Sequence, residues 1–529
     1  MSIGPGPGGD KKLKNMYCYA KRFVILIASA SLPLFISQNL QGRNPDGSDS
    51  DTIFISCSDS LRSYIPQKHQ YNQTLTLKLF MAQAMYDGKL KRKDNGKSEL
   101  FLTCEKALDI IRRIDNLTLG IPKIVYLVGW QYNGHDSKYP AWFEVNEAIK
   151  RPVDANGFES IKWLMREAEK YHTVVSLHIN MFDAYEDSPL WDKYVKNNII
   201  ARNKDSTLRS AEWGYPISYA QEWKTGFTKK RIDTLCRLLP LAKAGTIHID
   251  AFHSWPPTPV IKPDGKDTIV LTRNIISPFL NFTVSDETEA QRQIFKYWAS
   301  KGIDVTSEGV DFLRETAFEG YQHMAWWFGG KPEYYLKWPS SYYCGGMDKS
   351  DWGKLFGTSM HGEEIVRQNP VKLVGFIEDF CTKTAIWYFL NRLDRLYLVE
   401  GKDFKSAGFS DSVNVFLSEN EYRITRGKSI IAENGDLLIP SLWRGNSSMI
   451  AYSRNGYKNK KWILMKEWSN VTRVKLSRVT DKGINEIGDA IVNNGTLIFS
   501  MKKDEMILIE KNDRQNINTY REMLSSSVN

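Results

Sequence analysis

The chain has 529 residues, 42% of them hydrophobic and 12% aromatic, with a formal net charge of +10. That is apolar mass enough for one large domain of about 250–300 residues and a smaller one beside it. The surplus reads as a solvated surface, and no nucleic-acid partner is expected. Residues 1–37 carry five Lys/Arg against one Asp (5 − 1 = +4), which leaves about +6 on the rest, and no Lys/Arg run with interleaved aromatics occurs.

The amino terminus reads as a targeting segment. Lys11, Lys12, Lys14, Lys21 and Arg22 precede the apolar run Phe23 to Ser37, which Pro33 interrupts. This is short for a membrane span and suits a signal peptide over residues 1–37, with Met16 a possible start and an uncleaved anchor the alternative. Either way the rest is expected to be exported, without a stable membrane span in the mature chain. The six cysteines (Cys18, Cys57, Cys104, Cys236, Cys344, Cys381) are widely spaced, with no CxxC and no zinc-type cluster. Neither a disulfide framework nor a metal site is expected.

Residues 38–100 are polar, with a β-like run at Thr52–Ser56 and a helical one around Leu77–Met85. They read as a leader packed on the domain that follows. From Glu105 to Ile114 the apolar residues fit one helix face. Lys123–Val128 is a continuous run of buried-strand composition, ending in Gly129-Trp130-Gln131 and then Gly134-His135-Asp136-Ser137. Phe158–Tyr171 reads as a helix and Thr173–Ile179 as a strand that delivers His178 and Asn180. The loop beyond carries Trp213, Tyr215, Tyr219 and Trp223, dense enough for a sugar platform or simply for packing the loop.

A helix from Thr228 to Leu239 and a short turn lead to Thr246-Ile247-His248-Ile249-Asp250, a strand ending in an acid. Alone, such an acid can do no more than cap the next loop. A second strand of the same kind follows the helix Asp286–Lys301 and ends at Glu308. Two strand-end carboxylates in consecutive βα units suggest a glycosidase-type pair on an α/β barrel. Residues 256–285 and 331–362 read as long loops, and His323–Phe328 as a further strand.

Near residue 400 the pattern changes to short apolar runs between Gly/Asn/Lys turns, including Asn455-Gly456 and Asn494-Gly495, both hairpin signals. The expected architecture is therefore α/β: a (β/α)8 TIM-like barrel over 101–405 and a C-terminal all-β sandwich over 406–511. A polar tail spans 512–529. With no Pro/Gly/Ser linker before it, the sandwich is expected to pack on the barrel.

The ordered set Gly134-His135-Asp136-Ser137, His178-Ile179-Asn180, Ile249-Asp250 and Ser307-Glu308-Gly309 resembles glycoside hydrolase family 101. These are the endo-α-N-acetylgalactosaminidases of mucin O-glycans, related to family 129. Trp462-Ile463-Leu464, Val479-Thr480-Asp481-Lys482-Gly483 and the Gly345–Trp352 stretch extend the likeness over roughly residues 120–510. The resemblance implies a retaining hydrolase with Asp250 as nucleophile and Glu308 as general acid/base. It implies that His135, Asp136, His178 and Asn180 line the sugar pocket, that Trp213 stacks on the sugar with Tyr215 beside it, and that no cofactor is needed. The partner is then a glycan or glycoprotein. Two departures stand out: Gly309 follows the acid/base where the family tends to have Trp, and a long insertion separates the two carboxylates. The rival readings are another retaining α-glycosidase, α-galactosidase-like or amylase-like, and an inactive glycan-binding barrel.

Overall fold

The computed structural model describes residues 52–55, 68–88, 93–210, 214–250, 252, 260–261, 268–269, 276–308, 321–324, 351–357, 360–361, 373 and 375–512. Its larger α/β part is a parallel sheet whose strands follow one another in chain order. They are Leu75–Phe80, Lys123–Val128, Thr173–Asn180, Thr246–Asp250, Asp304–Glu308 and Tyr321–Met324, and Met360–His361 returns beside the first. Met360 pairs with Thr76, so the sheet curls back on its own beginning. That winding is a (β/α) barrel, seven of whose strands lie among the described residues.

The crossover helices are Cys104–Thr118, Gly157–Ala168, Phe227–Leu238 and Val284–Ser300. Three of them begin where a side-chain oxygen takes up an otherwise unpaired amide: Thr103 accepts from Lys106, Asn156 from Glu159, and Thr283 forms a capping box with Asp286. Below the barrel, Asp304 accepts from the Lys68 and His69 amides and from the Tyr71 hydroxyl, so residues 68–71 seal its amino-terminal end.

The segment around Leu77–Met85 is not helical, as the sequence had suggested, but forms the first barrel strand and the start of a hairpin, Ala82–Ala84 paired with Ser98–Leu100. Thr74-Leu75-Thr76-Leu77-Lys78-Leu79 alternates with period two, the mark of a strand. The barrel therefore begins well before residue 101. The hairpin that follows this strand stands at the barrel's carboxyl-end face.

The C-terminal part is antiparallel, consistent with a β-sandwich, and enters a thirteen-stranded sheet. It too is larger than expected, because Arg395–Glu400 belongs to it and Thr52–Ile55 pairs with that strand. Asn494-Gly495 makes the expected tight hairpin, both residues at positive φ. Asn455-Gly456 instead joins two strands that pair with other partners.

The barrel and sandwich share one contiguous apolar core. Across their junction Arg113 pairs with Asp481 at 2.8 Å, Asn116 donates to the Asp481 carbonyl, and the Trp443 indole donates to the Leu119 carbonyl. The second domain is thus packed on the first, not tethered to it. Among the described residues no helix is long and apolar enough to cross a membrane. Cys104, Cys236 and Cys381 are free thiols. The expected targeting segment 1–37 and the tail beyond Asn512 lie outside the described residues, as does most of both long loops.

Candidate active site

Strand parity decides what faces the barrel axis. In the fourth strand Thr246, His248 and Asp250 share one face. Thr246 bonds the hydroxyls of Tyr71 and Tyr126, and His248 bonds Thr306 at 2.9 Å. The barrel is therefore polar along its axis, where branched aliphatic layers are usual. A column of rings climbs it: Tyr126 to His248 at 5.3 Å, His248 to His178 at 5.0 Å, His178 to His135 at 5.3 Å, and His135 to Phe80 at 5.4 Å.

At the top of that column stands Asp250, the last residue of its strand. Its carboxylate lies 3.7 Å from His178 Nε2 and keeps 23% of its side-chain surface accessible, whereas His178 keeps 2%. The Trp130 indole donates to the His178 carbonyl and steadies that strand end.

His135 and Asp136 come from the loop after the second strand. That loop folds back on the hairpin so closely that side chains are excluded at two points. A Cβ on Gly129 would sit 1.8 Å from the Ala82 carbonyl oxygen, and one on Gly134 2.7 Å from it, and both residues have positive φ. The His135 amide donates to the same carbonyl at 2.9 Å. His135 Nε2 then lies 3.5 Å from the buried Asp136 carboxylate. The buried rings of Tyr139 and Tyr185 stack beside this loop at 5.7 Å; burial, with Asp136 nearby, raises both hydroxyls well above the ordinary phenol pKa.

The fifth strand runs beside the fourth with Asp304 opposite Thr246 and Thr306 opposite His248. Continuing that register by two residues sets the backbone of Glu308 level with Asp250, and its side chain lies outside the described residues. Asn180 is level with Asp250 on the other side. Its side chain is occupied by its own turn, accepting from the Phe182 and Asp183 amides and donating to the Asp183 carboxylate. Asn180 therefore shapes the loop at this strand end.

The expected aromatic platform is described only in part. Tyr215 belongs to a small separate core, tilted against Trp191 at 4.9 Å with its hydroxyl on Glu186. Tyr219 packs on Phe252, and Trp223 on Tyr297. Trp213 lies outside the described residues. Reading the residues in sequence also missed Asp94, Tyr86, Lys138 and Asp187, which surround the His135–Asp136 loop. The alternation from Thr74 to Leu79 was the signal that would have brought the hairpin into view.

Donor atoms of His135, His178 and Asp250 all lie within 4.8 Å of one another. Two imidazoles and a carboxylate suit a borderline divalent metal and equally the hydroxyls of a sugar. The expectation of no metal ligands came from linear spacing, which does not register donors contributed by three separate βα units.

Residues 98–307 match the family described as Endo-alpha-N-acetylgalactosaminidase, glycoside hydrolase family 101. The resemblance seen in the sequence motifs therefore holds over a span that includes His135, His178 and Asp250 and stops one residue short of Glu308. The chain is also similar in structure to α-N-acetylgalactosaminidase NagBb from Bifidobacterium bifidum in complex with GalNAc. That likeness has 12% identity and a TM-score of 0.46 over 68% of this chain and 58% of that one. An α-amylase from Geobacillus thermoleovorans is similar at 9% identity and a TM-score of 0.40, over 84% of this chain and 100% of that one. An α-galactosidase from Geobacillus stearothermophilus follows at 13% identity and 0.36, over 83% and 55%. The chain thus spans just over half the length of the bifidobacterial protein.

Proposed function

We propose that this chain, whose residues 98–307 match glycoside hydrolase family 101, is a retaining glycoside hydrolase that releases α-linked N-acetylgalactosamine from O-glycans. What supports the reading is that Asp250 and Glu308 end adjacent parallel strands, which pair in register from Asp304–Thr246 to Thr306–His248. Neighbouring strands lie ~4.8 Å apart. A retaining enzyme needs ~5–5.5 Å between its carboxyl groups, against ~6.5–9.5 Å in an inverting one, and carboxyl groups rising from adjacent strands can reach the shorter distance.

In this mechanism Asp250 attacks the anomeric carbon while Glu308 gives its proton to the departing glycosidic oxygen. A glycosyl ester forms on Asp250. Glu308 then takes a proton from water, which attacks the same carbon and frees the sugar with its configuration retained. Two carboxylates about 5 Å apart repel by about 3 kcal/mol at an effective dielectric constant of ~20, about two pKa units, which favours the state in which one of them carries the proton. His178, 3.7 Å from Asp250, and His135 beside it supply donors for the sugar hydroxyls. The double displacement needs no cofactor. Export, expected from the amino-terminal segment, fits a mucin-type substrate.

A panel of 4-nitrophenyl α-glycosides, read by product NMR, tests the reading. α-N-Acetylgalactosaminide should be the substrate turned over, with the α-anomer formed first. Preference for an α-galactoside or α-glucoside would move the chain to the rival glycosidase class, and glycan binding without turnover would make it a binding barrel. Asp250→Ala should abolish turnover. Glu308→Ala should give a burst and slow steady state on the aryl substrate, accelerated by azide, and lose ~10²–10⁴-fold on a Ser/Thr-linked glycan. Azide rescue of Asp250→Ala with retained product, and of Glu308→Ala with inverted product, would exchange the two roles.

A further inference from the structure

Beside the pocket stands a carboxylate that no part of the proposed chemistry uses. Asp94 lies in the hairpin after the first barrel strand, and its side chain keeps 1% of its surface accessible. Its oxygens accept from Asn133 Nδ2 at 2.9 Å, Ser137 Oγ at 2.6 Å, Lys138 Nζ at 3.3 Å and the Gly96 amide at 2.9 Å. Asn133, Ser137 and Lys138 flank His135 and Asp136 in the loop after the second strand. The Asp94 amide donates at 3.0 Å to Asp187, which lies after the third strand and also receives Lys138 at 2.6 Å. Three consecutive loops at the carboxyl-end face thus meet on one residue. Tyr86, from the same hairpin, donates to the Asp136 carbonyl.

What this clamp holds is strained. Asp136 and Lys138 both adopt left-handed backbone, φ 60° and 59°, though neither is glycine. Such conformations survive at functional sites when surrounding contacts over-determine them. Burial opposes charge on Asp94, yet the Ser137 hydroxyl, the Gly96 amide, Lys138 and Asn133 together outweigh it and hold the carboxyl below its usual range. The acceptor is therefore a charged one, and charge-assisted bonds of this kind are the stronger sort.

We infer that Asp94 is a positioning residue: by binding both flanks of the Asn133–Lys138 loop it holds His135, with Asp136 beside it, against His178 and Asp250. This rests on the glycosidase reading for its catalytic consequence, while the clamp itself can be measured without turnover. In hydrogen–deuterium exchange on the full chain, Asp94→Asn should raise exchange of peptide 131–138 about tenfold or more and leave peptide 123–128 unchanged. Ser137→Ala, which removes one bond from the opposite side, should do the same more weakly and serves if Asp94→Asn fails to fold.

On 4-nitrophenyl α-N-acetylgalactosaminide, kcat/KM should fall about 10²-fold, the usual cost of a small misplacement. Combined with His135→Ala, the loss should be no greater than for His135→Ala alone, because both act through one group. Unchanged exchange in both variants would overturn the clamp. Fully additive losses would overturn its action through His135. A wild-type chain inactive on the probe would end the glycosidase reading, with the exchange result still deciding the clamp.

Discussion

Glu287→Gln should change how the stability of the barrel depends on pH. Glu287 sits in the first turns of the helix Val284–Ser300, which leads into the strand of Glu308, and it is 2% exposed. It accepts from the Ser218 hydroxyl at 2.6 Å and the Ala220 amide at 2.9 Å, joining that helix to the start of the helix Tyr219–Thr225. Burial pushes its carboxyl up from 4.5 to about 7, against the downward pull of those bonds. The folded state therefore holds a proton that the unfolded chain releases near its ordinary carboxylate pKa.

A raised folded pKa means the contribution is fully present below about pH 4.5 and is lost as pH rises through about 7. At ~1.36 kcal/mol per unit, the whole effect is about 3 kcal/mol. Gln keeps one acceptor oxygen for the Ala220 amide, can donate to the Ser218 hydroxyl, and has no carboxyl proton to lose. Urea midpoints followed by tryptophan fluorescence from pH 5 to pH 8 should show wild type losing about 2–3 kcal/mol relative to Glu287→Gln. Parallel pH profiles for the two proteins would refute the reasoning.

Arg231 and Glu222 form an ion pair at 2.7 Å with neither side chain more than 1% exposed, and Arg231 also donates to the Pro140 carbonyl at 2.9 Å. Arg231→Met strands the carboxylate and should cost about 3–5 kcal/mol in urea unfolding; a loss under about 1 kcal/mol would contradict this. Truncation at residue 405 splits the paired strands Arg395–Glu400 and Phe404–Phe409 and uncovers the helix Cys104–Thr118. It should yield insoluble protein, and a soluble, fully active product would show the sandwich to be dispensable.

Local chemistry alone was enough for several elements. Lys123–Val128 was legible as a strand because a buried parallel strand is apolar on both faces, and Asn494-Gly495 as a hairpin because both residues accept positive φ. Asp250 and Glu308 were legible as strand-end acids because β-preferring residues lead up to each of them. The partnering of these pieces was not. Asn455-Gly456 has equally good turn chemistry, but the chain there passes to a strand paired elsewhere, since a turn sets local direction and not which strand fills the neighbouring place.

Asn180 carries the polar atoms of a ligand, and only the fold shows its carbonyl and amide taken up by the turn that follows. Tyr215 likewise has a face suited to a sugar, and tertiary packing set it against Trp191. His135, His178 and Asp250 lie far apart in the chain, and Asp94 lies in a stretch that reads as featureless and polar. Barrel closure brings the ends of successive strands within a few ångströms of one another, and that cyclic adjacency is a property of the wound sheet, which no single segment contains.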